Sequence, residues 1–325
     1  MTQRAKELFS LFIKIAIAVF AFWFIYVKLV TSNDLKKFIS LLKTLPQREI
    51  ATVLIIVMFL MLVNWGLEAV KWKRLIKPIE PISYWKAIES VFCGLTWAVF
   101  TPNRIGEYGG RVFFLSPKRR VVGVVAMAVG GIGQLVITNV LGAIAVSTFI
   151  FSFNLLDYRL CLSICAIAAV FCLFFLTFYF NIKWLNGILL SFKFTRKYKK
   201  FYAILARYKK VELGKILLLC LARYLVFSTS YFIMFHWLVP GISYIHILML
   251  VSILFFVQSS LPSLNLLDIG IRNITAVYFF KFVTDQNTAV IACITSIWFV
   301  NIIIPAILGV YFVFKLNFFG SHRNN

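Results

Sequence analysis

The chain has 325 residues, 62% of them hydrophobic, and its 34 lysines and arginines against 11 aspartates and glutamates give a formal net charge of +23. Soluble domains run at roughly 45–50% apolar residues, so this composition excludes one water-soluble core of this size. A charge of this sign in a soluble chain points to nucleic acid, but here the basic residues sit in short stretches between apolar runs with no recognition motif, so they read as topology signals and anionic-lipid contacts.

Arg4 and Lys6 lead into an apolar run at 11–31 that is too long for a signal-peptide core and has no small-residue cleavage site behind it. It reads as an uncleaved first membrane helix. Within 32–49, Leu35, Phe38, Ile39, Leu42 and Leu45 recur at three- to four-residue spacing among Lys36, Lys37, Lys43 and Arg48. That pattern predicts an amphipathic helix lying on the membrane interface. A spanning helix needs about 20 apolar residues, and further runs of that kind occupy 50–68, 121–150, 160–180, 214–238 and 288–314. Two shorter runs, 87–101 and 245–261, reach Pro102 and Pro262, and each is followed by a second short segment, 107–115 and 267–282. They predict two re-entrant-like helical hairpins broken at the prolines, since interrupted backbone at membrane depth must be surrounded by protein or a water-filled cavity. The expected fold class is an all-α polytopic membrane protein, about six full transmembrane helices plus two proline-broken hairpins, as a single integral membrane domain over 1–325.

Ten basic residues and Glu212 in the loop 181–215 make it the cytoplasmic anchor of the topology. Threading outward from it places both termini in the cytoplasm and lets the first hairpin enter from the cytoplasmic side and the second from outside. Lys71, Lys73, Arg74 and Lys77 also fall on the cytoplasmic side. The hairpins are alike in outline: Pro102, Glu107 and Arg111 in the first, Pro262, Asp268 and Arg272 in the second, with Gly106 and Gly270 beside the breaks. Two interrupted segments of opposite orientation predict an inverted-topology repeat, with halves at about 1–150 and 160–325 and a substrate site near the midplane.

Ionisable residues at membrane depth are the candidates for function. Glu107 and Arg111, like Asp268 and Arg272, are four apart and share a helix face. Each pair either offers an arginine to a phosphate, which a guanidinium holds with two hydrogen bonds, or forms an internal salt bridge that pins its hairpin. Arg104 either lines the site or snorkels to the interface. Glu68 is either interfacial or in a cavity, and Arg223, inside a membrane helix, either pairs with an internal acid or lines the substrate path. The half-helix starting near Ile105–Gly106 aims its amides at an anion, and Gly106, Gly109 and Gly110 permit close backbone approach. Gln134, Asn139, Gln258 and Asn301 read as interhelical hydrogen-bonding residues, and the small residues Gly123, Ala126, Gly130, Gly133 and Gly142 as close-packing positions. The six cysteines form no metal or disulfide pattern and read as small buried hydrophobes. No nucleotide, metal or hydrolase motif is present, so no cofactor and no enzyme activity are expected.

The stretch Gly94–Arg111, with Pro102, Arg104, Gly106, Glu107 and Arg111 in that order, resembles the signature of the lysylphosphatidylglycerol synthase transmembrane family, the flippase-like domain family. Leu261-Pro262 through Asp268, Gly270 and Arg272 resembles the second element of that family. It departs from it in having Ser263, Leu264, Asn265 and Leu266 where the family has a glycine-rich turn, and in placing its acid before Gly270. The resemblance implies a lipid or lipid-linked substrate, the cytoplasmic (inner) membrane of a prokaryote, and a stand-alone member without the aminoacyl transferase domain. The expected function is a flippase or transporter moving a phospholipid or lipid-linked head group through a central polar cavity. Its partners would be anionic phospholipid or polyprenyl-linked lipid, with no nucleic acid, and with a partner enzyme possible at loop 181–215. The alternative is a membrane-embedded transferase or accessory subunit acting on a lipid-linked substrate.

Overall fold

The computed structural model describes residues 3–31, 47–101, 104–191, 199–260 and 268–316. Helices follow one another as α1 (Gln3–Thr31), α2 (Gln47–Ile76), α3 (Tyr84–Phe100), α4 (Ile105–Val112), α5 (Arg120–Ser152), α6 (Tyr158–Phe180), α7 (Lys183–Ser191), α8 (Lys199–Tyr202), α9 (Lys210–Leu238), α10 (Tyr244–Ser260), α11 (Asp268–Phe280), α12 (Asn287–Trp298) and α13 (Ile304–Val313), with no strand among the described residues. A helix satisfies every backbone polar group within its own segment, which hydrocarbon surroundings demand. Six helical segments are long and apolar enough to cross a membrane: Leu8–Val27, Arg48–Ile76, Pro117–Ser152, Tyr158–Phe180, Lys210–Leu238 and Asn287–Val313. The chain is a multi-pass α-helical membrane protein. Of the expected interfacial helix at 32–49, residues 32–46 lie outside the described residues, as do the two breaking prolines, Pro102 and Pro262, and residues 47–49 open α2.

Both hairpins have the expected arms, α3 with α4 and α10 with α11, packed on each other. In the first hairpin the contact is backbone to backbone. A methyl group added at Gly110 would lie 2.6 Å from the Gly94 Cα and 2.8 Å from its nitrogen. Ser83 caps α3 by accepting the Lys86 amide at 3.1 Å, and Thr101 at its other end reaches across the break, its hydroxyl oxygen accepting the Gly106 amide at 2.8 Å.

Packing partners recur in the second part of the chain in the order of the first. Hairpin arm α3 packs on α13, and arm α10 packs on α5. Helix α2 contacts α3 and α5, while α9 contacts α10 and α12, and α2 and α9 lie against each other at the centre. Small residues set the closest crossings: Gly142 of α5 meets the Phe256 ring of α10, and Gly309 of α13 meets the Phe92 backbone of α3, where Thr96 also donates to the Ala306 carbonyl at 2.8 Å.

The last span is not a uniform helix. A π-helical turn at Phe299–Ile303 joins α12 to α13, just before Pro305. Proline has no N–H, so the Asn301 carbonyl loses its usual helical donor, and Trp65 Nε1 of α2 donates to it instead at 3.2 Å.

The basic stretch 181–215 is not an open loop. Its described part forms α7, α8 and a 3₁₀ turn at Ala203–Arg207, with Ile204, Leu205 and Tyr208 buried against the bundle. The Tyr208 hydroxyl donates to the Leu75 carbonyl at 2.6 Å and the Arg207 guanidinium to the Pro78 carbonyl at 3.3 Å, clasping the segment onto the end of α2.

If the Gly94–Gly110 contact sets the hairpin, Gly110→Ala forces the arms apart and lowers stability by about 1–3 kcal/mol. Gly187→Ala, where an added methyl meets nothing within 4 Å, leaves stability unchanged or raises it by about 0.5–1 kcal/mol. Thermal unfolding of the two variants in detergent checks the contrast, and equal melting temperatures would refute it.

Candidate functional site

Glu68 lies on α2, two-thirds along its length, and is 4% exposed. A lone carboxylate so placed is costly unless paired and hydrogen-bonded. Glu68 is held by three cations from three helices. Its Oε1 accepts from Arg111 Nη1 of α4 at 2.6 Å, and its Oε2 accepts from Lys71 Nζ of α2 at 2.7 Å and from Arg223 Nη1 of α9.

Arg111, 1% exposed, uses its second terminal nitrogen on Glu107 of its own helix. Glu107 in turn pairs with Arg104 at 3.1 Å. The chain Lys71–Glu68–Arg111–Glu107–Arg104 thus runs from a fully buried ammonium to a guanidinium whose side chain is 43% exposed. Arg104 takes a left-handed backbone, φ 56° and ψ 26°, which costs a residue other than glycine about 1 kcal/mol or more. This strain sits beside the hairpin break and directs Arg104 onto Glu107.

Arg223 is fixed on its other sides as well. Its Nε donates to the Asn64 side-chain oxygen at 3.1 Å, Gln134 lies 3.5 Å from Nη1, and the Trp65 ring is 5.2 Å from the guanidinium carbon. Cation–π contact of this kind favours arginine over lysine. The same Trp65 holds the Asn301 carbonyl freed by Pro305, so the π turn and the ionic cluster share one side chain.

These groups line a cavity of about 560 Å³ between the hairpins. Both sides contribute: Arg104, Glu107, Tyr108 and Arg111 from the first hairpin, and Phe255, Gln258, Ser259 and Arg272 from the second. The size falls within the roughly 300–1,000 Å³ range of ligand pockets. Among the lining residues described, Lys71, Arg104, Arg111, Arg223 and Arg272 are cationic and Glu68 and Glu107 anionic, a cationic excess. Apolar groups, Leu135, Phe227, Phe255 and Ile302, complete the wall.

Six of the expected site residues therefore meet in one cavity: Glu68, Arg104, Glu107, Arg111, Arg223 and Arg272. Asp268 opens α11, but its side chain lies outside the described residues. For Glu107 and Arg111 the internal salt bridge forms, and Arg111 also lines the cavity. Glu68 is buried and lines the cavity. Several expectations are corrected. Gly106 does not offer its amide to an anion, because Thr101 takes it, whereas the expected close backbone approach is found at Gly106 and Gly110, against the facing arm. Gly270 lies in the first turn of α11, and among the described residues an added methyl there meets nothing within 4 Å. Gln134 makes the expected interhelical contact, accepting from Arg223 at 3.5 Å, and lines the cavity with Gln258 and Asn301, whereas among the described residues the Asn139 amide bonds only the Leu135 carbonyl of its own helix. Cys165 is exposed on α6, unlike buried Cys93, Cys161, Cys220 and Cys293.

Lys71, expected only as one of four charges on the cytoplasmic side, joins the site; its spacing of three from Glu68 on one helix face is the signal that marks it. Asn64 and Trp65 carried no signal of their own. No family model matches this sequence, and no curated protein matches it either.

Glu68→Gln leaves Lys71, Arg111 and Arg223 without their common carboxylate and lowers stability by about 3 kcal/mol. Lys71→Met costs less, because both arginines still hold Glu68. Thermal unfolding of the purified variants separates the two, and equal shifts would mean that Glu68 is not the hub of the cluster.

Proposed function

We propose that this chain is a lipid flippase or transporter that draws a phosphate-bearing head group into the cavity while the acyl or prenyl tail stays in the bilayer. The observation that carries this reading is the cation-rich cavity at the meeting of the two hairpins, with Arg111 and Arg223 held ready by Glu68 and Glu107. Charged side chains in a membrane interior are expensive and are kept where a substrate or ion path needs them. A guanidinium already paired with a carboxylate can exchange that partner for a phosphate of similar geometry, so that entry of the head group costs little in unpaired charge. On release the carboxylates recapture the arginines. Glu68 and Glu107 thus act as internal stand-ins for the head group.

The recurring packing partners support an inverted repeat with halves near 1–150 and 160–325. Each half contributes three crossing segments, an odd number. With hairpins that return to their side of entry, the second half starts on the opposite face, as alternating access between leaflets requires. The basic stretch 181–215 supports a cytoplasmic placement for itself and for both termini in the cytoplasmic membrane of a prokaryote, with exposed Lys209 and Lys210 meeting anionic lipid. The order of Pro102, Arg104, Gly106, Glu107 and Arg111 accords with the resemblance to the lysylphosphatidylglycerol synthase transmembrane family.

In proteoliposomes carrying a fluorescent head-group-labelled anionic phospholipid, wild type exposes the probe of the inner leaflet to an impermeant quencher. Arg111→Ala and Glu107→Gln slow that exchange by about tenfold or more, while gel filtration shows the same monodisperse protein. Rates equal to wild type in both variants would sink the proposal.

A further inference from the structure

We infer that the cavity is built for a diphosphate head group, presented on a lipid, in preference to the singly charged phosphodiester of an ordinary phospholipid; this rests on the transport reading above. Among the described residues four cations, Lys71, Arg104, Arg111 and Arg223, are engaged on two carboxylates, Glu68 and Glu107. Inside a bilayer such an excess is stable only when a ligand or counter-ion balances it. A phosphodiester brings a single negative charge and leaves the wall positive. A diphosphate on a lipid brings two or more and restores neutrality.

Hydrogen-bond inventory points the same way. Arg111 Nε and Gln258 Nε2 are buried donors with no acceptor among the described residues, one on each hairpin, and both residues line the cavity. Buried donors of this kind are rare and call for an acceptor. Tyr108, Gln134, Thr138 and Ser259 add further polar groups around the same space. A ligand rich in acceptor oxygens along a short chain can serve donors on both hairpins at once, whereas one phosphate offers fewer oxygens over a shorter reach. By spanning the two hairpins the diphosphate also ties the two halves of the protein together.

The first test uses wild-type protein in nanodiscs of zwitterionic lipid, with dissociation constants read by native mass spectrometry for four probes: a polyprenyl diphosphate, the matching polyprenyl monophosphate, phosphatidylglycerol and inorganic pyrophosphate. We expect the polyprenyl diphosphate to bind about tenfold or more tighter than phosphatidylglycerol, the monophosphate to fall between them, and the ratio to shrink about threefold or more in Lys71→Met. Arg104→Gly is the companion variant, since it removes a half-exposed guanidinium and suits the left-handed backbone there, and it reads the same ratio if Lys71→Met fails to fold. Equal affinity for the diphosphate and phosphatidylglycerol overturns the inference. If phosphatidylglycerol then still crosses proteoliposomes in an Arg111-dependent way, the transport reading stands without it. Pyrophosphate binding as tightly as the polyprenyl diphosphate, with no lipid translocated, supports the diphosphate site and overturns its lipid-linked form together with the transport reading.

Discussion

Glu68, a buried carboxylate within a spanning helix, accepts three cations from three helices, and the rest of the site depends on it. Hydrocarbon cannot solvate Lys71, Arg111 or Arg223, and their mutual repulsion in a low-dielectric setting would otherwise force α2, α4 and α9 apart. One acid drawing them inward turns that repulsion into a constraint on where the helices sit. It fixes the first hairpin through Arg111 and the centre of the bundle through Arg223. Glu107 extends the same logic outward to Arg104, so burial decreases along an alternating row of charges.

Backbone geometry supplies what electrostatics alone would not. The glycine contact between Gly94 and Gly110 lets α4 lie directly on α3, which brings Arg111 within reach of Glu68. Thr101 satisfies the Gly106 amide at the break, so the start of α4 needs no water there. On the far wall, Pro305 removes a helical donor, the π turn at Phe299–Ile303 forms beside it, and Trp65 satisfies the Asn301 carbonyl while stacking on Arg223. Interruptions of regular helix therefore cluster around the cavity, where π turns and irregular backbone are tolerated and functional.

Charge is divided between two settings. At the end of α2, Arg207 and Tyr208 close the basic segment onto backbone carbonyls of the 75–78 region, and Arg74 faces Glu212 at 3.5 Å in a solvent-screened pair worth little to stability. Inside the cavity the same residue types are dehydrated and interlocked. The chemistry differs because the dielectric differs, although composition treats the two groups alike.

Six spans, two broken hairpins and the Glu107–Arg111 pair were legible in the amino-acid order, because hydrocarbon thickness dictates helix length and the helical period puts residues four apart on one face. The ionisable residues at membrane depth could be picked out for the same reason: apolar neighbours on both sides leave a charge conspicuous. Which charges meet was not legible. Glu68 and Arg223 are 155 positions apart, and Glu68 and Arg111 are 43 apart. Their pairing is decided by the crossing of α2 with α9 and by the depth to which α4 folds back on α3. Lys71 shows the limit most plainly: a spacing of three put it within reach of Glu68, but only tertiary packing buries it while Lys73 and Lys77 stay exposed. Side-chain identity determines what a group can bond; the arrangement of helices determines what it does bond, because desolvation depends on every neighbour in space and not on neighbours in sequence.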